Sequence, residues 1–510
     1  MTEENNYHMP ETPEPYWRES VSFPSFPKLE EDITVDVGIV GGGITGITTA
    51  YLLSKKGYKV ALIEAGKLLN GTTGHTTAKV TAQHGLIYDE LIQHLGEDKA
   101  RLYYEAAMEA KQFIKDTIEE KNIACDWSSE DAFVYTNSDK YVSKIDKEME
   151  AYEKLDIKGG IVDDIPFNIP IKKAIKMDDQ AQFHPLKYLK PLVDSIIEND
   201  GLIYENTTAS SVDSGDHPII LTSNSHHIVC KRVVQASHFP FHGGEGYYFA
   251  RMYPSRSYIV GVTSKESYPG GMYISAEKPT RSIRSTTVDG EELWLIGGDG
   301  HRTGEGKPTL EHYQALEQFA ETTFGMDEYK YRWSAQDLTT LDKVPYIGQV
   351  TDDQPEILVA TGYRKWGMTN GTVAALVLTD IITGTDNRFI DLYKPSRFHA
   401  DPDLKKFNKY NAKVAKHLIK GKLEYTSTTI EDVGQDEAKV IRLNGNRAGV
   451  YRDKHGEVHI VDTTCTHMGC EVNWNNGDRT WDCPCHGSRF AIDGAVVEGP
   501  ANKPLKKLEE

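Results

Sequence analysis

Two short segments near the C-terminus contain residues that could bind a metal centre. The first has Cys465 and His467 in C-x-H spacing, and the second has Cys483 and His486 in C-x-x-H spacing. Two thiolates and two imidazoles together form a ligand set for a transition metal. Structural zinc is the alternative, but zinc sites usually show C-x-x-C spacing and do not need the extra cysteine that each segment carries.

The full segments, 465–470 (CTHMGC) and 483–488 (CPCHGS), closely resemble the Rieske family. A Rieske centre is a [2Fe–2S] cluster in which two histidines replace two cysteines on one iron, which raises the reduction potential. The resemblance implies that Cys465, His467, Cys483 and His486 are the ligands, that Cys470 and Cys485 form a disulfide clamping the two loops, and that Ser488 donates a hydrogen bond to a bridging sulfide.

Two further features lie close to these segments. Gly499-Pro500, followed by Pro504, resembles the proline-containing loop that covers a Rieske cluster. Phe490 lies where high-potential members often carry a tyrosine that hydrogen-bonds a ligand sulfur. Because such hydrogen bonds raise the potential, phenylalanine predicts a lower potential than in respiratory members.

A second cofactor site is predicted near the N-terminus. Gly41, Gly43 and Gly46 form G-x-G-x-x-G between a run rich in valine and isoleucine and a predicted helix, and Glu64 ends the next predicted strand. In this context the glycines permit a tight turn, the approach of a pyrophosphate to the helix N-terminus, and close helix–sheet packing. Glu64 can accept hydrogen bonds from a ribose, so the segment 33–66 predicts a dinucleotide site.

FAD is favoured over NAD by two segments further along the chain. Residues 342–348 (DKVPYIG) and 360–371 (ATGYRKWGMTNG) resemble the D-amino-acid oxidase-like flavoproteins, and the resemblance covers roughly 33–395. In that family a strand–glycine–helix segment returns to the flavin. The resemblance implies FAD contacts at Gly362, Gly367, Met368 and Thr369, with the positive charge of Lys365 nearby; a solvated surface position is the alternative for this lysine.

The loop 71–78 (GTTGHTTA) is the other predicted flavin contact. Its small and hydroxyl residues, including Thr76 and Thr77, would let the backbone approach a ring. In dimethylglycine and sarcosine dehydrogenases a similar histidine carries covalent flavin, and His75 occupies the matching place. Ordinary hydrogen bonding by His75 is the alternative.

Asp337 is the candidate substrate residue. Amino-acid oxidases of the family place an arginine shortly before the D-x-x-P-x-I-G string, whereas this chain has Asp337 there. A carboxylate would attract an ammonium group, which predicts an amine substrate or one whose carboxylate binds elsewhere, with Arg251, Arg256 and Arg302 as candidates. Pairing with a neighbour such as Arg332 is the alternative role for Asp337. No proton-transferring catalyst is identified.

The two halves together predict an FAD-dependent enzyme that oxidises a C–N bond of an amine or amino acid. Electrons would pass from FAD to the Rieske cluster and then to an external protein or quinone-like acceptor. One alternative is an oxidase that uses oxygen directly, with the Rieske part as a sensor or docking module. Another is a non-enzymatic electron-transfer partner.

Composition restricts the expected binding partners and the cellular location of the protein. The 510 residues carry a formal charge of -19, which disfavours nucleic acid and anionic membranes as partners. The polar N-terminus lacks a secretory signal, and no apolar run is long enough to span a bilayer. The six cysteines are too few for a disulfide framework, so we expect a cytoplasmic protein, in which the proposed disulfide would face a reducing environment.

The resemblance implies the fold class, α/β plus all-β. It consists of a Rossmann-like FAD-binding domain with an inserted antiparallel-sheet substrate domain, followed by a small all-β Rieske domain. The predicted segments are 33–85, 156–239 and 336–395 for the FAD-binding domain, 86–155 and 240–335 for the substrate domain, 396–423 for a connector and 424–510 for the Rieske domain.

Overall fold

The structure is a computed structural model that describes residues 9–243, 246–397, 400–423 and 428–509. The first eight residues of the predicted polar N-terminus and the predicted start of the Rieske domain at 424–427 lie outside the described residues. The helices are α1 (Tyr16–Glu19), α2 (Ile44–Lys55), α3 (Tyr88–Leu95), α4 (Glu97–Lys121), α5 (Asp139–Leu155), α6 (Pro185–Glu198), α7 (Tyr248–Arg251), α8 (Leu310–Phe324), α9 (Gly367–Thr383), α10 (Ile390–Tyr393) and α11 (Ala400–Leu423).

The strands before the C-terminal part form three sheets. They are β1 (Ile33–Thr34), β2 (Val37–Val40), β3 (Val60–Ile63), β4 (Lys79–Val80), β5 (Ser128–Thr136), β6 (Gly159–Val162), β7 (Lys173–Gln182), β8 (Leu202–Tyr204), β9 (Ala209–Asp213), β10 (Ile219–Thr222), β11 (His227–Val229), β12 (Arg232–Gln235), β13 (Met252–Thr263), β14 (Met272–Ser275), β15 (Arg281–Val288), β16 (Glu291–Arg302), β17 (Glu328–Thr340), β18 (Tyr346–Gln349) and β19 (Ile357–Thr361).

A six-stranded sheet in the order β18-β19-β12-β2-β3-β8 forms the dinucleotide-binding part. All its pairs are parallel except β18 with β19. Its strands β2, β3 and β19 are buried along their whole length, as expected for a parallel sheet covered on both faces. Because parallel strands end at one edge, the turns after β2, β3, β12 and β19 lie together. A small four-stranded sheet, β1-β11-β10-β9, lies beside it.

A nine-stranded sheet in the order β17-β13-β16-β15-β14-β5-β7-β4, with β6 paired to β7, faces the same edge. The antiparallel sheet predicted within 240–335 is confirmed by the pairing of β13 with β16 and of β15 with β16. The strand pairing divides the chain differently from the predicted segments. Strands β6 and β7 lie in this large sheet, although the prediction placed 156–239 with the FAD-binding part, and β17 crosses the predicted boundary at 336. Hydrophobic periodicity identifies a strand but not its partner, so it could not place β7 beside β5.

The C-terminal part is all-β. Strands β20 (Glu437–Leu443), β21 (Asn446–Arg452) and β22 (Val458–Asp462) form one antiparallel sheet, and β23 (Asn473–Asn475), β24 (Thr480–Asp482), β25 (Arg489–Phe490) and β26 (Val496–Glu498) form another. The two cysteine–histidine segments are the loops from β22 to β23 and from β24 to β25. Trp481 and Phe490 are fully buried against their cysteines, so the loops share one small core.

A buried charge cluster fixes the C-terminal part to the large sheet. The guanidinium of Arg256 on β13 lies 3.4 Å from carboxylate oxygens of Asp478 and Glu498, and Arg489 lies 2.9 Å from Asp478. Buried charges are tolerated when they are paired and hydrogen-bonded. The Gln336 side chain on β17 also donates a 2.8 Å hydrogen bond to the carbonyl of Gly487 in the second cysteine–histidine loop. The C-terminal part is therefore held against β13 and β17.

Among the described residues, none of the helices combines the length and the apolar character that crossing a bilayer requires.

Candidate active site and metal centre

A cavity of about 1240 Å³ lies where the carboxyl edge of the six-stranded sheet meets the nine-stranded sheet. Its walls include the glycine turn after β2, the loop 71–77, the segment after β12 and the start of α9. Ligand pockets usually measure roughly 300–1,000 Å³. The space is therefore large enough for a dinucleotide together with a small substrate.

The glycine turn has the geometry that its sequence predicts. Gly41 has a φ of +113°, and a Cβ there would lie 2.4 Å from the carbonyl oxygen of Ala236. A Cβ at Gly46 would lie 2.0 Å from the carbonyl oxygen of Gly41, while one at Gly43 would lie 3.0 Å from the Thr73 hydroxyl. Backbone contacts of this kind cannot relax as a flexible side chain can. Positions 41 and 46 therefore require glycine for the turn itself.

The Glu64 carboxylate hydrogen-bonds the backbone of the glycine turn. One oxygen accepts a 2.8 Å hydrogen bond from the N–H of Gly42 and the other a 3.0 Å hydrogen bond from the N–H of Gly66. Burial raises the pKa of Glu64, and these two backbone donors oppose that shift. The side chain also lines the cavity, as a residue positioned for a ribose would.

Two buried tryptophans donate hydrogen bonds to the backbone of the loop 71–78. Its residues Thr72–His75 form a short 3₁₀-helix, and the indole N–H of Trp333 donates to the carbonyl of His75 at 2.9 Å. The indole N–H of Trp17 donates to the carbonyl of Thr76 at 2.8 Å. Trp17 lies in the N-terminal segment, which the sequence analysis treated only as polar. This contact joins residues 59 positions apart, so no local pattern could reveal it.

His75, Thr76 and Thr77 all line the cavity. His75 Nδ1 lies 2.9 Å from the carbonyl oxygen of Gly71, which can only accept, so the ring proton is on Nδ1. Burial lowers the pKa of His75 to about 4, which makes the ring neutral near pH 7. The ordinary hydrogen bond that the sequence analysis kept as its alternative is therefore present. Covalent attachment at this histidine stays a prediction.

Some of the residues predicted to contact the flavin lie in the turn into α9 and line the cavity. Lys365, Gly367 and Met368 line the cavity, and Lys365 has a left-handed φ of +70°. Gly362 and Thr369 are not among the described residues that line it. The Thr369 hydroxyl donates instead to the carbonyl of Thr81 at 2.9 Å, so this side chain ties α9 to the segment after β4.

Asp337 lies in the cavity wall next to Lys365. Its carboxylate accepts a 2.9 Å hydrogen bond from the N–H of Leu338; burial raises its pKa, and the charges of His238 and Lys365 oppose that shift. The alternative partner, Arg332, donates to the carbonyls of Pro10, Glu11 and Gly477 instead.

The Lys365 side chain is exposed, and it lines the cavity. Burial lowers its pKa to about 8, and the charge of Asp337 opposes that shift. A Cβ at Gly300 on β16 would lie 2.7 Å from Lys365 Nζ, so this side chain reaches across towards the large sheet. Asp337 and Lys365 therefore place opposite charges in one wall of the cavity.

Besides Lys365, the cavity wall contains cations that were not predicted from the sequence: Lys79, Lys144, Lys147, Lys278, Lys343 and Arg364. None of the three arginines suggested as carboxylate ligands lines the cavity: Arg251, Arg256 and Arg302. Lys79 donates to the Ser282 hydroxyl at 2.6 Å, and burial lowers its pKa to about 7. A lysine inside the otherwise small and apolar run Ala78–Ala82 was the signal that could have identified it.

The metal-centre residues meet at the tip of the C-terminal part. Cys465, Cys483 and His486 are buried and His467 is half-buried, and the two imidazole rings are 5.1 Å apart. His486 Nδ1 is buried without a hydrogen-bond partner in the described chain, which is expected of an atom that binds a metal. Burial lowers the pKa of His486 to about 3, so the ring is neutral, the form that ligates.

A disulfide joins Cys470 and Cys485, as predicted. The sulfurs of these two cysteines and of Cys483 lie within 4.8 Å of one another, but the disulfide pair has no thiolate to offer a metal. The Ser488 side chain hydrogen-bonds the Cys465 thiol and accepts from the N–H of Ala501 at 3.0 Å. Both cysteines of the bridge are almost fully buried, which limits the access of reductants to it.

The cavity and the metal centre are neighbours in space. Residues 496–502, which include Gly499-Pro500 of the predicted proline loop but not Pro504, line the cavity together with Phe239 after β12. The Phe239 ring lies 6.0 Å from the ring of His467. One wall of the cavity is therefore made by residues that also touch the cysteine–histidine loops.

Comparison with known proteins assigns both regions. The profile of the FAD dependent oxidoreductase family (DAO) matches residues 36–381, and that of the Rieske [2Fe-2S] domain matches residues 424–509. The chain is 51% identical over 505 residues to the putative Rieske 2Fe-2S iron-sulfur protein YhfW of Bacillus subtilis, covering 99% of each chain.

Two further proteins are similar over 71% and 72% of this chain. Gamma-glutamylputrescine oxidoreductase of Escherichia coli is 23% identical over 395 residues, which span 71% of this chain and 87% of that protein. The crystal structure of glycine oxidase from Geobacillus kaustophilus superposes with a TM-score of 0.61 at 16% identity, covering 72% of this chain and 99% of that one. The fold is thus that of the amino-acid oxidases. The chain belongs to the FAD dependent oxidoreductase family of the D-amino-acid oxidase type, and it carries a C-terminal Rieske [2Fe–2S] domain.

Proposed function

We propose that the enzyme is a dehydrogenase that oxidises a C–N bond of an amine or amino acid and delivers the electrons through its Rieske cluster to an external acceptor. The observation that carries this proposal is that the Rieske domain forms part of the wall of the cavity. Residues 496–502 of the Rieske domain line the cavity that also contains the glycine turn and the start of α9. A domain used only for docking to another protein would have no need to border the flavin cavity.

The proposal assigns two sets of cofactor residues. FAD would be held by Gly41, Gly43, Gly46, Glu64, Thr76, Thr77, Gly367 and Met368, with Gly362 and Thr369 supporting the turn behind them. The cluster would be held by Cys465, His467, Cys483 and His486, with Ser488 beside a sulfur.

The chemistry balances without an additional reductant. When bound, FAD takes a hydride from the carbon beside nitrogen, and the cluster takes one electron at a time. A proton leaves the nitrogen, and the resulting imine is hydrolysed by water to a carbonyl compound and ammonia or an amine. Each turnover yields two electrons and two protons. Two equivalents of a one-electron carrier take the electrons while both protons are released, or one quinone takes up both electrons and both protons.

The cavity charges support a substrate with an amino group. Asp337 offers a buried carboxylate to an ammonium, and Lys79, Lys278 and Lys365 offer cations to a carboxylate. An amino acid would satisfy both, while a simple amine would need only the carboxylate. Relatives named for γ-glutamylputrescine and glycine support this substrate class.

The test is an anaerobic titration of the protein containing both cofactors with a panel of amines and amino acids. The expected donor bleaches the flavin bands and produces the low-average-g EPR signal of a reduced Rieske cluster, and ferricyanide then sustains turnover. If donors bleach the flavin but leave the cluster oxidised, while oxygen supports full turnover, the enzyme is an oxidase and the relay is wrong.

Asp337→Asn should lower kcat/KM for the donor identified in that titration by about tenfold to a hundredfold. A hydrogen bond to a charged group contributes roughly 1.5–3 kcal/mol, and the amide keeps the shape but loses the charge. Glu90→Gln is the matched control, because Glu90 lines the same cavity but pairs with Lys343. An unchanged kcat/KM in Asp337→Asn would remove the substrate role from this residue.

Phe490→Tyr should raise the reduction potential of the cluster, and Ser488→Ala should lower it. The first adds a hydroxyl in the core that holds the cysteines, and the second removes one that hydrogen-bonds Cys465. Redox titration followed by EPR measures both, with the flavin potential of each variant as the internal control. A potential in Phe490→Tyr equal to or below that of the unaltered protein would contradict the prediction.

A further inference from the structure

One aromatic side chain connects the flavin cavity to a ligand histidine. Phe239 follows β12 at the carboxyl edge of the six-stranded sheet, and it lines the cavity beside the glycine turn. Its ring meets the ring of His467 edge to face, with centroids 6.0 Å apart and planes at 73°. The side chain is 9% exposed, so protein atoms and not bulk water surround this contact.

A second aromatic residue provides a comparison. Phe249 on α7 meets His486 in the same edge-to-face manner, with centroids 5.8 Å apart and planes at 89°. Among the described residues, however, Phe249 is not part of the cavity wall. Its own neighbour is Tyr247, 6.3 Å away and 60% exposed, so this contact leads towards the surface.

Electron transfer between two centres in a protein becomes steeply slower as the gap between their contacting atoms widens. A path made of bonded atoms and van der Waals contacts is therefore favoured over one that crosses open space. Phe239 offers such a path, because one ring borders the cavity on one side and His467 on the other. The other path from the cavity runs through the backbone of Ala501 and the Ser488 hydroxyl to Cys465.

We infer that Phe239 is the residue through which electrons pass from the flavin cavity to His467 and the cluster within one chain. This inference rests on the proposed function. It names Phe239 as a bridging residue that shortens the gap; the residue itself is neither oxidised nor reduced, and each electron that leaves the flavin arrives on the cluster. It also makes transfer between two copies of the chain unnecessary.

The experiment needs no knowledge of the donor. A light pulse in the presence of 5-deazariboflavin, with EDTA as the sacrificial electron donor, reduces the flavin of the anaerobic holoprotein, and absorbance then follows flavin reoxidation and cluster reduction. The step of interest is the first-order phase in which both changes occur together. If the unaltered protein shows no such phase, the proposed function fails before the role of Phe239 is tested.

Phe239→Leu is compared with Phe249→Leu, since each variant removes a phenyl ring that contacts one of the two ligand histidines. The expected result is that Phe239→Leu slows the coupled phase by about tenfold or more, equivalent to about 1.4 kcal/mol in the barrier, whereas Phe249→Leu changes it less than about twofold. Phe239→Tyr, which keeps the ring, should restore the rate. The EPR spectrum and cluster potential should be the same in all three variants.

Two results would overturn the inference. An unchanged rate in Phe239→Leu would assign the transfer to the path through Ala501 and Ser488. Equal slowing in both leucine variants, together with a shifted cluster potential, would make Phe239 a packing residue. If Phe239→Leu loses its flavin, Phe239→Met provides the same test with a side chain closer in length to phenylalanine but without a ring.

Discussion

Gly46→Ala should yield a protein that has lost nearly all of its FAD but keeps its Rieske EPR signal. The added Cβ, in the first turn of α2, would lie 2.0 Å from the carbonyl oxygen of Gly41, which belongs to the turn that lines the cavity. Neither can move away without opening the turn between β2 and α2. The amides of that turn, at the positive end of α2, are the groups proposed to hold the pyrophosphate.

The measurement is the flavin released by acid per chain, determined beside the EPR intensity of the same preparation. The Rieske signal reports that the C-terminal part has folded, since its cysteines lie in a core of their own. Gly160→Ala is the control, because a Cβ at this position in β6 meets no atom within 4 Å and Gly160 has no positive φ. Stoichiometric flavin in Gly46→Ala would show that the turn is not the pyrophosphate site.

Local sequence patterns were sufficient where the chemistry depends on residues close together in the chain. The spacing of Cys465, His467, Cys483 and His486 specified a ligand set, and the structure places the two histidine rings 5.1 Å apart. The disulfide between Cys470 and Cys485 was implied by the resemblance of the same two segments to the Rieske family. Likewise, the glycine turn after β2 and Glu64 after β3 lie within one βαβ unit, so a local pattern could identify both.

Contacts between distant segments could not be predicted in this way. Asp478 meets Arg256, which lies more than two hundred positions earlier, and nothing in either neighbourhood indicates the other. The bridging position of Phe239 depends equally on how β12 and the C-terminal part are placed. Periodicity reports which face of an element is buried, and it carries no information about the partner that buries it.

The substrate side of the cavity shows the same limit. Asp337, the candidate substrate residue, lines the cavity, but the cations around it come from distant segments that include β4, α5 and the segments before β15 and α9. Three arginines looked suitable because of their charge alone. Each proved to be engaged elsewhere: Arg251 with the carbonyl of Pro395, Arg256 with carboxylates of the C-terminal part, and Arg302 with the carbonyl of Cys485.

His486→Ala should remove the Rieske EPR signal completely while leaving the flavin content unchanged. Losing one of four ligands leaves an iron without its full set, and the buried Nδ1 of His486 has no other partner in the described chain that could explain its position. His455→Ala is the matched control, since this histidine is exposed in the turn between β21 and β22 of the same domain. It should keep both the signal and the flavin.

The His486→Ala variant also distinguishes an electron-carrying cluster from a structural zinc ion at the same site. If the cluster carries the electrons, the donor should still bleach the flavin of His486→Ala, but turnover with one-electron acceptors should fall to the rate at which they react with the flavin directly. If zinc occupied the site, metal analysis of the unaltered protein would find zinc in place of iron and no Rieske signal to lose. Full ferricyanide turnover in His486→Ala would mean that electrons leave the flavin cavity without entering the C-terminal domain, although that domain forms part of its wall.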